Sequence, residues 1–143
     1  KGLGGGLPLG AMIALGDAAQ LFVAGDHGST FGGNPITTAA ALAVIKVIEK
    51  DKIMVKVRKD QEFIMQKIAL IEGVSEVRGA GLLLGIQLDK PIAYKITLQM
   101  REEGILVNAA NDSTIRIAPA LNISRLQLNK FCTIFEKVMS HDN

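Results

Sequence analysis

Three places in the chain hold side chains that could do chemistry. Lys1 is followed by Gly2-Leu3-Gly4-Gly5-Gly6. A lysine condenses with a carbonyl only as the neutral amine, and its free pKa is about 10.4, so burial or nearby positive charge must depress it. Glycines beside such a lysine let a ligand approach the backbone closely. By itself the same pattern also describes a solvated lysine next to a supple segment. The second place is Gly28-Ser29-Thr30-Phe31-Gly32-Gly33. Hydroxyls and free N–H groups just ahead of a helix start suit a phosphate. They equally suit a tight turn whose Ser and Thr satisfy local backbone groups. The third is Arg116 in Ile115-Arg116-Ile117-Ala118-Pro119. Its guanidinium could grip a carboxylate through two parallel hydrogen bonds, or could be an ordinary exposed strand arginine. Arg78, ahead of Gly79-Ala80-Gly81, carries the same two readings. His27 reads as a loop hydrogen-bonder, His141 as part of a frayed tail, and Cys132 as half-buried packing.

The elements that must position these groups follow from pattern. Leu9–Leu15 reads as a short buried strand ending at Gly16-Asp17. Asn34 is a good N-cap with Pro35 at the first helical position. It opens a nearly apolar helix over Ile36–Glu49, expected to be buried on most sides. At Lys50-Asp51-Lys52 the composition turns charged. Ile53, Val57, Ile64, Ile68 and Ile71 then keep a helical stripe, with Lys56, Arg58, Lys59, Asp60 and Glu62 assigned to the opposite, solvated side and Gly73 as the stop. Val77–Leu88 reads as a strand pair or a bent strand, with Gly79, Gly81 and Gly85 as kinks or close-approach points, Pro91–Glu103 as a helix ended by Gly104, and Ile105–Asn108 and Thr114–Ala118 as strands joined at Asn111-Asp112-Ser113. Ser124-Arg125-Leu126-Gln127 is a capping box opening a last helix with Leu128, Phe131, Ile134, Phe135 and Val138 on one face. The first 48 residues therefore read as the edge of a larger α/β layer. Residues 49–143 read as a helix followed by β-β-α-β-β-α, a compact α+β unit.

Composition narrows the class. With 143 residues, 48% hydrophobic and 21% charged, the chain can bury a core and is not disordered. Sixteen basic against fourteen acidic residues leave +2, too little for binding nucleic acid by counterion release. One cysteine excludes an internal disulfide framework and a cysteine-based zinc site, and no metal site is expected. A reducing, cytoplasmic setting follows as the default. The longest apolar stretches, Gly6–Gly16 and Ala80–Ile86, fall short of the ~20 residues that cross a membrane, so no membrane partner is expected. Without an initiator Met, and with four glycines among its first six residues, the chain is expected to be the C-terminal part of something longer.

Taken in order, Lys1 to Ala11, His27 to Pro35, Arg78 to Gly85 and Arg116 to Leu121 resemble the class III aminotransferases. Gly2 to Gly6 followed by Leu-Pro-Leu-Gly-Ala, together with Leu106-Val107-Asn108, are most similar to the acetylornithine branch. Ala120 departs from a second proline found in many relatives, which hardly touches the arginine assignment. The resemblance implies the pyridoxal-phosphate fold type I. Residues 1–48 would be the end of the large cofactor domain and 49–143 the small α+β C-terminal domain. It implies pyridoxal phosphate as cofactor, held by Lys1 as a Schiff base, with Lys1 also the catalytic proton shuttle. Thr30 would bind the cofactor phosphate across a homodimer interface, Ser29 would lie at the substrate edge, and Arg116 would hold the α-carboxylate of glutamate or 2-oxoglutarate. The implied reaction moves the amino group of N-acetylornithine to 2-oxoglutarate, in arginine or lysine biosynthesis. The glycine turn for the phosphate, the ring-stacking aromatic, the aspartate for the pyridine nitrogen and the arginine for acetylornithine's carboxylate belong upstream, so this polypeptide alone is expected to be inactive. The alternatives are another ω-aminotransferase acting on succinylornithine, ornithine or 4-aminobutyrate, or a non-catalytic α+β interaction module.

Overall fold

Asn34 opens the first long helix by the expected device. Its Oδ1 accepts from the Thr37 N–H at 3.1 Å, and Pro35 occupies the first helical position, where a missing N–H costs nothing. The helix, α1, runs Pro35–Lys50 in a computed structural model that describes residues 2–141. The chain divides into two compact units, Lys1–Lys52 and Ile53–Asn143.

In the first unit α1 is the only long element among the described residues. Within it only Thr37 and Ala41 are buried, while Ile36, Leu42, Ile45 and Val47 stay exposed. The helix thus offers the apolar surface of a buried element, and the described part of this unit does not cover it. Leu9–Leu15 corrects the sequence expectation: it forms no strand, and Met12, Ile13 and Leu15 face solvent. A strand needs a partner ladder, and the first unit has no second strand among its described residues. A short 3-10 turn follows at Gly16–Gln20.

The second unit begins with α2 (Ile53–Ile68) and continues as β1 (Val74–Ala80), β2 (Leu83–Leu88), α3 (Ala93–Glu102), β3 (Asn108–Asn111), β4 (Thr114–Ile117) and α4 (Arg125–Ser140). The strands form one antiparallel sheet in the order β1-β2-β4-β3. The β-β-α-β-β-α order expected from the pattern is therefore present, with shifted boundaries. Two starts move by three residues: β1 begins at Val74 and not Val77, and β3 at Asn108 and not Ile105. Gly104 takes φ +77 and donates to Arg101 O (3.0 Å), while Ile105 N donates to Met100 O (2.8 Å), which closes α3 in a Schellman arrangement. Ile105 is thereby spent on the helix end, and pairing starts at Asn108 instead. Gly73, at φ +86, lies five residues past the end of α2, at the entry to β1, and does not stop the helix.

Alternation along the strands sends Leu84, Ile86, Leu88, Ile115 and Ile117 to one face, against the three helices of this unit. Ile64, Ile68, Ile86, Ile96, Ile115 and Phe135 lose all their exposure there, each stabilising the unit by roughly 1.5–3 kcal/mol relative to leaving it in water. The capping box of α4 forms as expected, with Ser124 Oγ accepting from Gln127 N (3.2 Å) and Gln127 Oε1 accepting from Ser124 N (2.9 Å). Asp60 is the second correction. It lies three residues after Val57 and four before Ile64, on the apolar stripe and not opposite it, and it is 2% exposed. Lys56 donates to it from one turn earlier and also to Ile123 O, while Arg125 Nη2 meets its other oxygen at 2.9 Å. Arg125 also stacks over the Phe63 ring at 4.2 Å. This cluster ties the middle of α2 to the start of α4.

Cys132 is buried in the helix layer, and burial pushes its thiol up from the ordinary 9.0 to about 11. At pH 8 the native thiolate is then about a hundredfold scarcer than in the unfolded chain, so iodoacetamide should modify Cys132 only after denaturation. The stability gained by keeping that thiol neutral is complete below pH 9 and should fade as the pH climbs toward about 11, which thermal melts across that range will register. Replacing Asp60→Ala should lower stability by about 1–3 kcal/mol in a urea titration. The cost stays moderate because Lys56 and Arg125 are half-exposed and can hydrate when left alone.

Candidate active site

The other face of the sheet is open, and it collects the two arginines singled out by the sequence. Register places Arg78 opposite Gly85, Gly85 opposite Arg116, and Arg116 opposite Asn108, one row across all four strands. Side chains in such a row share a face, so Arg78 and Arg116 flank the side-chain-free Gly85. They line an open depression of about 480 Å³ together with Ala80, Leu83, Ala110 and Thr114.

The two arginines differ in freedom. Arg78 Nη1 donates to Glu76 Oε2 at 2.8 Å, and both its terminal nitrogens lie 3.4 Å from Gln87 Oε1. Gln87 is itself fixed, because Thr114 Oγ1 donates to Oε1 (2.9 Å) and its Nε2 donates to Ser113 O (3.1 Å). Arg78 is thus a placed side chain whose charge Glu76 largely offsets. Arg116 is exposed and has no ion pair or side-chain hydrogen bond among the described residues. Its five donors in a rigid fork remain free for a carboxylate.

Two glycines shape the rim. Gly79 takes φ +136, and a Cβ there would come within 2.2 Å of Leu83 O. Gly81 takes φ +58 in the turn between β1 and β2. The turn is held from α2: Gly81 N donates to Gln61 Oε1 at 2.7 Å, and Gln61 Nε2 donates to Gly79 O at 3.4 Å. No spacing in the sequence announces Gln61 in this part, since the contact spans 20 residues.

The hydroxyl loop lies in the first unit. Ser29 Oγ accepts from Gly32 N at 3.1 Å, and the Asn34 amide donates to Phe31 O at 2.9 Å, so part of the loop is the tight turn that the sequence allowed. Thr30 is exposed, and its hydroxyl has no partner among the described residues. His27 tilts against Phe22 with ring centroids 6.5 Å apart, and His141 Nδ1 lies 2.7 Å from Lys137 O at the end of α4; neither joins a catalytic cluster. Lys1 lies outside the described residues. The Ser29–Thr30 loop belongs to the first unit and the Arg78–Arg116 face to the second.

The aminotransferase class-III family matches residues 1–139. The chain belongs to the class III aminotransferases. Its similarity to acetylornithine aminotransferases of this family is 46% identity over 124 residues for the protein of Corynebacterium efficiens, covering 87% of this chain and 31% of that one. For the protein of Mycobacterium leprae it is 45% over 141 residues, covering 97% and 35%. The crystal structure of the acetylornithine aminotransferase from Elizabethkingia anophelis superposes with a TM-score of 0.77 at 32% identity, covering 87% of this chain and 35% of that one. The α/β arrangement of this chain, with its four-stranded antiparallel sheet, is therefore that of a class III aminotransferase. The chain spans about a third of the length of the relatives it matches. No helix among the described residues is long and apolar enough to cross a membrane.

Proposed function

We propose that the whole protein is an acetylornithine aminotransferase that moves the amino group of N-acetylornithine to 2-oxoglutarate with pyridoxal phosphate, a step of arginine or lysine biosynthesis. The observation that carries this reading is the 45% identity to an acetylornithine aminotransferase sustained over 97% of the chain. In this reading the protein is a cytoplasmic homodimer. Residues 1–48 close the large cofactor domain, and 49–143 form the small domain.

The described residues fit the cofactor where they can be tested. Thr30 presents a hydroxyl with no partner among the described residues, in a glycine-rich loop ahead of the α1 N-terminus, the donor chemistry that a phosphate takes. Ser29 already accepts from Gly32 and keeps its own hydrogen and a second lone pair for a substrate polar group, which suits it to the substrate edge. When bound, the cofactor supplies an electron sink for the carbanion at the reacting carbon. The remaining work falls to the protein. Lys1 would hold the cofactor, and its Nζ, neutral when free, would take the proton from the amine-bearing carbon of the donor and later deliver one to the acceptor. Arg116 orients glutamate or 2-oxoglutarate by pairing both carboxylate oxygens with its fork, which fixes the reacting carbon relative to that base.

In the whole protein, borohydride reduction in the presence of pyridoxal phosphate should attach the cofactor at Lys1, read by mass spectrometry of the peptide, and Lys1→Ala should abolish the adduct. Arg116→Ala should raise the KM for 2-oxoglutarate by roughly a hundredfold, as expected for loss of a bidentate charge-assisted pair. Turnover of ornithine or 4-aminobutyrate in preference to N-acetylornithine would move the assignment to another ω-aminotransferase.

A further inference from the structure

Gly85 is a glycine that the fold does not need. It sits inside β2, a central strand, paired with Arg78 on one side and Arg116 on the other. Its backbone is not in the left-handed region. A Cβ built there would lie 3.5 Å from Thr114 Cγ2 and 3.9 Å from Arg78 Cγ and Arg78 O, ordinary van der Waals contact. Gly79 and Gly81 have conformational reasons to be glycine; Gly85 has none. A glycine inside a strand weakens it through backbone entropy and lost packing, so one that brings no conformational return marks a place where a ligand or another chain comes close. The space it leaves is the floor of the depression, between the placed Arg78 and the free Arg116.

We propose that Gly85 is a specificity-determining residue of the acceptor site: the bare backbone between the two arginines lets the α-carboxylate end of the dicarboxylate acceptor lie low on the sheet, within reach of the Arg116 fork. Ala80, Leu83 and Ala110 supply apolar wall for its methylenes, and Arg78, anchored by Glu76 and Gln87, supplies the opposite side. The inference rests on the reading that Arg116 holds the acceptor carboxylate. A Cβ at position 85 raises the floor by about 1.5 Å, the two methyls of a valine raise and widen it further, and an arginine–carboxylate pair at roughly 2.7–2.9 Å does not absorb such a step without losing one of its two bonds.

The test compares Gly85→Ala, Gly85→Val and Arg116→Ala in the whole protein, by steady-state KM for 2-oxoglutarate, by the single-turnover half-reaction with N-acetylornithine, and by Tm. Gly85→Ala should leave Tm unchanged or raised while the acceptor KM rises about tenfold, and Gly85→Val should raise that KM further. The donor half-reaction should stay within about twofold, which separates a shaped acceptor subsite from general damage. An unchanged acceptor KM in both Gly85 variants, with Arg116→Ala impaired, overturns the proposal and leaves the Arg116 reading standing. A lowered Tm in Gly85→Ala with both half-reactions impaired also overturns it, because the space then belongs to another segment of the protein. An unchanged acceptor KM in Arg116→Ala overturns the underlying carboxylate reading instead.

Discussion

The pairing of β2 with β4 is the constraint on which the second unit turns. Leu84 opposite Ile117 and Ile86 opposite Ile115 put one set of side chains in the dry layer, and the intervening Gly85 opposite Arg116 puts the other set outside. Strand side chains alternate with period two, so a slip of one residue would bury the arginine and expose the isoleucines together. Core and candidate site are therefore specified by the same ladder. The apolar face fixes the register, and the register in turn fixes which residues can meet on the open face.

The helices reinforce that ladder at particular points. The Asp60 cluster joins α2 to the Ile123 carbonyl and to Arg125, at the place where the chain leaves β4 and begins α4. A carboxylate this deeply buried is tolerable because two cations satisfy it from the solvent side. The capping box at Ser124 and the Schellman closure at Gly104 satisfy helix-end groups that would otherwise sit unpaired near the sheet. The approach to the β3–β4 pair, whose second strand carries Arg116, and the departure from it are thus set by local hydrogen bonding as well as by packing.

Much of this was legible in the residues. The Asn34-Pro35 start, the Ser124 capping box and the apolar stripes of α2 and α4 all rest on local rules, and they appear where those rules place them. The family resemblance, too, was carried by local glycine, proline and arginine motifs. What failed depended on partners beyond the local window. Leu9–Leu15 has strand composition but no ladder to join, and α1 has the composition of a buried helix without a covering layer in its unit. Asp60 reads as solvated by its charge, but its spacing from Val57 and Ile64 puts it on the buried stripe. The contrast between a tethered Arg78 and a free Arg116 came only with the register, since both occupy similar glycine- or proline-flanked strand contexts in the sequence.

The grip of Gln61 on the turn at Gly79–Gly81 has its own consequence for how the unit opens. The Gly81 amide is held by a side chain of α2, so fraying of the hairpin tip must first break a bond that ordinary strand ends lack. Lifting the helix breaks the same bond. The tip of β1–β2, a rim of the arginine face, is therefore steadied from behind the sheet, and loosening the helix there loosens the rim.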